Sequence, residues 1–314
     1  MKLKTLVAAG LLAAVGAGSA LAQDYPSKPI EIVVPAAAGG GTDVLVRTLE
    51  PHIEEALGGT IVVLNVPGSG SVGGSRQVVE ADPDGYTVLA NHVTLLTAMA
   101  LGKAEFAYTD YALAATAVQI PLVVVVPADS PLQTLEELMV RSEDQADPLI
   151  AGVNLGAVNH FAMLMLQALH PDSGFRFVQT GGGAATTAAL LGKHIGVGVL
   201  AGSEAKPIVE SGDVRVLGVL GDERVSYFPD VPTAQEVGYD ISLGVEYFWF
   251  MPAGTPQDRL DTFAAALGAA LEKPDVLELL NRQGMVPTFQ TGAEGWSKLE
   301  ALYKTVEAAA ANVE

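Results

Sequence analysis

Three consecutive glycines stand at a helix start twice in this sequence. Gly39-Gly40-Gly41 precede Thr42 and Asp43, and Gly181-Gly182-Gly183 follow Thr180. Glycine runs leave backbone N–H groups unshielded by any Cβ. The first helical turn adds orphan N–H donors and the positive end of the helix dipole. The chemistry such a turn performs is anion capture by main chain alone, although a tight strand–helix connection without a ligand would read the same way. Gly68-Ser69-Gly70-Ser71-Val72-Gly73 matches G-x-G-x-x-G, but Asn91 and His92 stand where a dinucleotide fold wants an acidic residue for the ribose. No cofactor is expected. His52, His92, His160, His170 and His194 show no H-x-x-x-H or H-E-x-x-H pairing, and cysteine is absent, so no metal site is expected either. No G-x-S-x-G elbow presents a nucleophile. A non-enzyme is the first expectation; a hydrolase or esterase assembled from scattered Ser, His and Asp is the alternative.

The elements that must position the glycine turns alternate strand and helix. Ile30 to Val34 reads as a buried strand, followed by an uncharged loop and a helix opened by Thr42 or Asp43, with Pro51 predicting a kink or break. Further strands are expected at 60–65, 86–90, 121–127, 148–153, 175–179, 195–200, 214–220 and 246–251. Helices run from 256 to the C-terminus, with Pro256 suited to the first helical position. Alternating β and α with short connections predicts open, mostly parallel sheets covered by helices, with ligands at the carboxyl ends of strands. His92 ends one strand, and Asn154 and Asn159 flank a helix start; each reads as a ligand contact or as a cap. In Tyr247-Phe248-Trp249, strand alternation sends the first and third to one face and Phe248 to the other.

Composition sets the address. Lys2 and Lys4, an apolar run from Leu6 to Ala17 and Ala20-Leu21-Ala22 form a secretory signal pattern, so residues 1–22 are expected to be removed and the chain to reach the periplasm. The net charge of −19 argues against nucleic acid and anionic membrane surfaces as partners. Any anionic ligand must then be held locally, against the long-range field.

Six motifs in order resemble the periplasmic receptors of tripartite tricarboxylate transporters, the Bug family: YPSKPIEIVVPAAAGGGTDVLVR, VVLNVPGSGSVGG, ADPDGYTVL, GGGAATTAALLGKHIGVGV, FPDVPTAQEVGYD and FMPAGTP. The resemblance runs from about Tyr25 to the end. It implies an α/β, type II periplasmic-binding fold: one lobe of residues 23–122 and 247–314 and another of 123–246, joined by crossover strands and closing like a flytrap on a ligand. It implies a small organic mono-, di- or tricarboxylate gripped by main-chain amides and ordered water, permease subunits as membrane partners, and a monomer. Carried onto this sequence, the first loop is Ala36 to Thr42, thus Ala37, Ala38, Gly39, Gly40, Gly41 and Thr42, and the second is Thr180, Gly181, Gly182 and Gly183. Asn91, His92, Asn154, Gly156 and Tyr247 would line the pocket, and Ser203 and Glu204 occupy a region where relatives also line the cleft. Val66 replaces a basic residue common in relatives, and Glu246 stands near where citrate-type relatives carry arginine. That loss of cations and gain of a carboxylate makes a smaller mono- or dicarboxylate, including an aromatic one stacked near Tyr247 or Phe248, an equal candidate to a tricarboxylate. A sensor for a membrane partner other than a permease fits the same residues.

Overall fold

The computed structural model describes residues 25–68 and 71–311. The signal pattern, and Ser69 and Gly70 of the glycine fingerprint, lie outside the described residues. The chain alternates β1 (Ile30–Val34), α1 (Gly41–Leu57), β2 (Ile61–Asn65), α2 (Val72–Val79), β3 (Thr87–His92) and α3 (Thr94–Ala100), then enters the long strand β4 (Tyr111–Pro127). After α4 (Leu135–Arg141) come β5 (Leu149–Val153), α5 (Val158–Leu169), β6 (Phe175–Gln179), α6 (Gly183–Leu191), β7 (Val197–Ala201), α7 (Gly202–Glu210) and β8 (Val214–Leu220). Strand β9 (Gly244–Pro252), α8 (Gln257–Leu271), α9 (Pro274–Arg282), β10 (Val286–Gln290) and α10 (Gly292–Ala310) complete it.

The strands form two halves that share β4. In the first, β2, β1 and β3 are parallel, β9 runs antiparallel to β3, and β4 runs antiparallel to β9 over Tyr111 to Pro121. In the second, β4 continues from Leu122 between β7 and β8, antiparallel to both, while β5 and β6 run parallel to β7. Strand β4 is therefore buried along nearly its whole length, as its largely apolar sequence, interrupted by Thr116 and Gln119, requires. Its first ten residues, rich in alanine, exceed the strand expected from 121. Pro121, which has no N–H to donate, sits where β4 changes neighbours.

Helix α1 continues through Pro51 without the expected break. Pro51 is exposed, so water can take the Arg47 carbonyl that its missing N–H leaves free. Pro256 is the N-cap of α8 rather than its first helical residue. Tyr247 and Trp249 pack with α1 and α8, whereas Phe248 and Phe250 pack on the opposite face, as alternation predicts. Phe248 is thereby core and cannot stack on a ligand.

Glu246 shares the Phe248 face and points toward β10 and α10. Its carboxylate accepts from Thr288 Oγ1 at 2.5 Å and lies 3.0 Å from Lys298 Nζ, with no exposed surface of its own. The sequence reading that counted it as a cleft carboxylate is corrected by this pairing: Glu246 adds no charge to the carboxyl ends of the strands. Burial holds its pKa above the ordinary carboxylate value, opposed by Lys298 and Thr288. A raised acid stabilises the fold below its unfolded pKa and loses that contribution as pH rises through the folded one. Lys298→Met should cost about 2–3 kcal/mol at pH 8, discounted from a fully buried pair because Lys298 is partly exposed. The loss should shrink at pH 5, where Glu246 takes up a proton more readily. Urea unfolding at the two pH values checks this; an equal loss at both would contradict the pairing.

Candidate functional site

The direction of the strands decides which ends meet. Strands β3 and β4 are each antiparallel to β9, so β1, β2, β3 and β4 all point toward the second half. Strands β5, β6 and β7 run against β4, so they point back toward the first. The carboxyl ends of both halves thus face one gap. Helices α1, α2 and α3 start at its near side and α5, α6 and α7 at its far side. His92 pairs with Tyr247 and Ala201 with Leu122, and four or five residues of crossover strand separate the two rungs. At about 3.3 Å per residue the gap is roughly 15 Å at its floor. Contacts between the halves flank it: a Cβ on Gly156 would lie 3.1 Å from Leu101 Cδ1, and Tyr227 Oη donates to the Gly284 carbonyl at 3.0 Å.

On the near side, the Gly39 N–H donates to Asp43 Oδ2 at 2.8 Å and the Gly40 N–H to the Ala37 carbonyl at 3.1 Å. Among the described residues, the amides of Gly41 and Thr42, at the first turn of α1, have no acceptor. Gly40 caps the helix through its backbone alone. Ala37, Ala38 and Gly39 are exposed around the turn, and Gly39 needs its positive φ of 79°. Asp43 is buried and held charged: although burial opposes it, Gly39, Asn65 and Arg47 lower its pKa, with Arg47 Nε 2.9 Å from Oδ1. The Tyr247 hydroxyl reaches this turn; a Cβ on Gly41 would be 3.8 Å from it. Burial raises the phenol pKa, opposed by the Thr42 hydroxyl. The His92 ring stands edge-on to Tyr247, centroids 5.3 Å apart.

His92 Nδ1 accepts the Thr94 N–H at 3.3 Å, which leaves Nε2 to carry the proton. Burial pushes its pKa down to about 4. Asn91 is placed differently from its neighbour. It is buried, its amide donates to Ser75 Oγ at 2.9 Å, and its carbonyl accepts the His92 N–H at 2.8 Å. It ties β3 to α2 and does not offer its side chain to the gap.

On the far side, Gly181, Gly182, Gly183 and Ala184 carry N–H groups without an acceptor among the described residues, because the first bonds of α6 come from Ala185 and Thr186 to the Gly182 carbonyl. Thr180 is fixed by its N–H to the Val153 carbonyl at 2.8 Å and by a 2.7 Å hydroxyl contact with Thr186. The turn before α5 is closed on itself. Asn159 Oδ1, Gln179 Oε1 and His160 Nδ1 accept the N–H groups of Asn154, Leu155 and Gly156. Gly156 keeps a positive φ of 77°, while the Asn154 side-chain oxygen Oδ1 accepts from Gln179 Nε2. Ser203 lies against the turn before β10, its N atom 3.1 Å from a Cβ built on Gly284. The resemblance placed Glu204 with Ser203 in the cleft-lining region, and in the structure its carboxylate rests on Gly183.

A separate concavity of about 440 Å³ lies at the opposite ends of β5 and β7, near Pro131, Leu149 and Ile195. Its cations are already paired, Arg141 with Asp147 and Lys193 with Asp129.

Residues 45–299 match the model of the tripartite tricarboxylate transporter family receptors. This chain belongs to that family. It is similar to a TctC solute-binding protein from Polaromonas at 27% identity, over 91% of this chain and 98% of that one, with a TM-score of 0.84. It is also similar to MatC from Rhodopseudomonas palustris, a structure with bound malate, at 26% identity over 91% and 100% of the two chains and a TM-score of 0.69. The protein BugT of Bordetella pertussis is 27% identical over 91% of this chain and 88% of its own. The α/β architecture is thus that of a TctC-type receptor, and these relatives include named solute-binding proteins.

The receptor's two glycine turns are not equally informative to mutate. A Cβ on Gly40 would come 3.1 Å from the Ala37 carbonyl, but one on Gly182 meets nothing within 4 Å. Gly182 also has an ordinary φ of −76°. Gly182→Leu should fold with a stability change within about 0.5 kcal/mol. For His92, ring shifts in NMR should stay flat from pH 8 down to 5 and move only near pH 4; a midpoint above 6 would show that the ring is not desolvated.

Proposed function

We propose that this receptor closes its two halves on a small organic carboxylate in the periplasm and hands it to the permease subunits of a tripartite transporter. No bond is made or broken. The two halves act as lobes, residues 23–122 with 247–314 and residues 123–246, and the protein works as a monomer. The carrying observation is the pair of helix starts, α1 and α6, whose free amides lie on opposite sides of one gap. MatC, which holds malate in this fold, supports a carboxylate as the ligand class. The secretory pattern of residues 1–22 supports the periplasm.

One carboxylate end would sit at the Gly41 and Thr42 amides, with the Tyr247 hydroxyl and His92 Nε2–H as further donors. The far end would meet Gly181, Gly182, Gly183 and Ala184. Asn154, Gly156 and Ser203 shape the wall, and Ala37, Ala38, Gly39 and Gly40 hold the near turn in place. Charge-assisted hydrogen bonds in a desolvated gap provide the affinity. Each helix dipole adds about 0.3–1 kcal/mol, more where the anion is well buried. A ligand that touches both lobes binds the closed state better and so shifts the population toward it.

Thermal-shift measurements against a panel of organic acids test the reading. At about one hundred times its Kd, a cognate acid adds about 2.7 kcal/mol of stability, which should raise the Tm by several degrees. Gly182→Leu should abolish that shift while leaving the unliganded Tm in place. Tyr247→Phe should weaken binding about tenfold, the value of one hydrogen bond of about 1–1.5 kcal/mol. A panel in which no carboxylate acts while a neutral solute does would refute the proposal.

A further inference from the structure

The two sides of the gap carry carboxylates of opposite standing. Asp43, on the near side, is neutralised by Arg47 and by hydrogen bonds from Gly39 and Asn65. Glu204, on the far side, is not. It occupies the third position of α7 and reaches back to accept the Ala201 N–H at 3.3 Å. Among the described residues no Lys, Arg or His lies within ion-pair distance of it. The nearest basic residue along its helix, Lys206, has its Nζ over the Tyr227 ring at 5.8 Å.

The position of its carboxylate is set by a glycine. A Cβ on Gly183 would stand 2.1 Å from Glu204 Oε2 and 2.3 Å from Oε1, so the carboxylate occupies the space that a side chain at this position would take. Gly183 is the first residue of α6. Glu204 is an exposed residue whose carboxyl end lies against Gly183 at the start of α6; desolvation there raises its pKa and the Ala201 N–H opposes the rise. The far cradle therefore presents free N–H donors with an unpaired carboxylate at their edge.

Resting on the receptor reading above, we infer that Glu204 is a specificity residue that rejects a second carboxylate, so that the ligand is a monocarboxylate whose far end carries an N–H or O–H donor, with an ammonium favoured. The ligand's carboxylate goes to the near side, where Tyr247, His92 and the α1 amides are all donors. Its other end meets Glu204, which accepts a donor and repels an anion. A dicarboxylate that bridges the gap must place its second negative charge beside Glu204 with no cation between them, and like charges in a desolvated site disfavour each other strongly. Discrimination by such repulsion leaves the near-side grip unchanged.

The test is calorimetry on the full mature chain with two matched series of two to six carbons, unbranched dicarboxylates and the corresponding ω-amino monocarboxylates, at pH 7.5. For the chain length that binds best, the wild type should hold the amino acid at least about tenfold tighter than the dicarboxylate. Glu204→Gln keeps an amide oxygen able to accept the Ala201 N–H, so the start of α7 survives, but it removes the charge. In that variant the preference should narrow by about tenfold, mainly through tighter binding of the dicarboxylate. A wild type that prefers the dicarboxylate, or a preference that Glu204→Gln leaves unchanged with the same Tm, would reduce Glu204 to a helix cap and overturn the inference while leaving the carboxylate receptor standing. If no member of either series binds, the receptor reading fails and this inference with it.

Discussion

The antiparallel pairing of β4 with both β9 and β7 is the constraint on which the rest depends. Because β4 is shared, its direction fixes the direction of each half's parallel strands, and the two sets must run toward each other. Every strand–helix turn at a carboxyl end is then delivered to the same gap without any of those turns having to contact one another. The backbone register of the shared strand does this, and its burial on both faces makes a slip costly, since a one-residue shift would turn every side chain to the other face. Helix α10 braces the arrangement from behind, lying against α3, β4 and α5.

That geometry explains how a strongly acidic protein can hold an anion. The net charge of −19 repels anions at long range, and screening at physiological salt confines that field to about 8 Å. Inside the gap the relevant charges are partial ones, the N–H groups at the starts of α1 and α6, fixed by the fold. The carboxylates that share the gap are handled one by one. Asp43 is used to shape the near turn and is compensated by Arg47. Glu246 is turned to the back and paired with Lys298. Of these three, Glu204 has neither remedy among the described residues.

What the sequence made legible follows from how local each signal is. An apolar run, a glycine turn and a helix lie contiguously, so β1–α1 and β6–α6 could be read directly, and the six ordered motifs carried the family. The first ten residues of β4 were missed because alanine argues against a strand and Pro121 looked like a beginning rather than a change of neighbours. Strand β10 was missed because Pro287 and a half-exposed pattern hide a strand whose pairing with β4 is long-range. Asn91 looked like a ligand contact because the hydroxyl that engages it, Ser75, lies on a different element.

Glu204 shows where such reading stops and coordinates begin. In sequence it is the third residue of a helix, a position where glutamate commonly accepts the N-cap amide, and the family resemblance puts it with Ser203 along the cleft without giving it a role. Its neighbour Gly183 belongs to another helix, and its glycine character reads as an anion loop. The two facts join only in space, where the absent Cβ of one residue makes the seat of the other's carboxylate. A glycine in an anion cradle then has two separable uses, exposing an amide and admitting a side chain. At Gly182 only the first applies, since a Cβ there meets open space, whereas at Gly183 the second does. On the proposed reading, the cradle's affinity for negative charge and its choice between one carboxylate and two would be set by adjacent residues of the same turn.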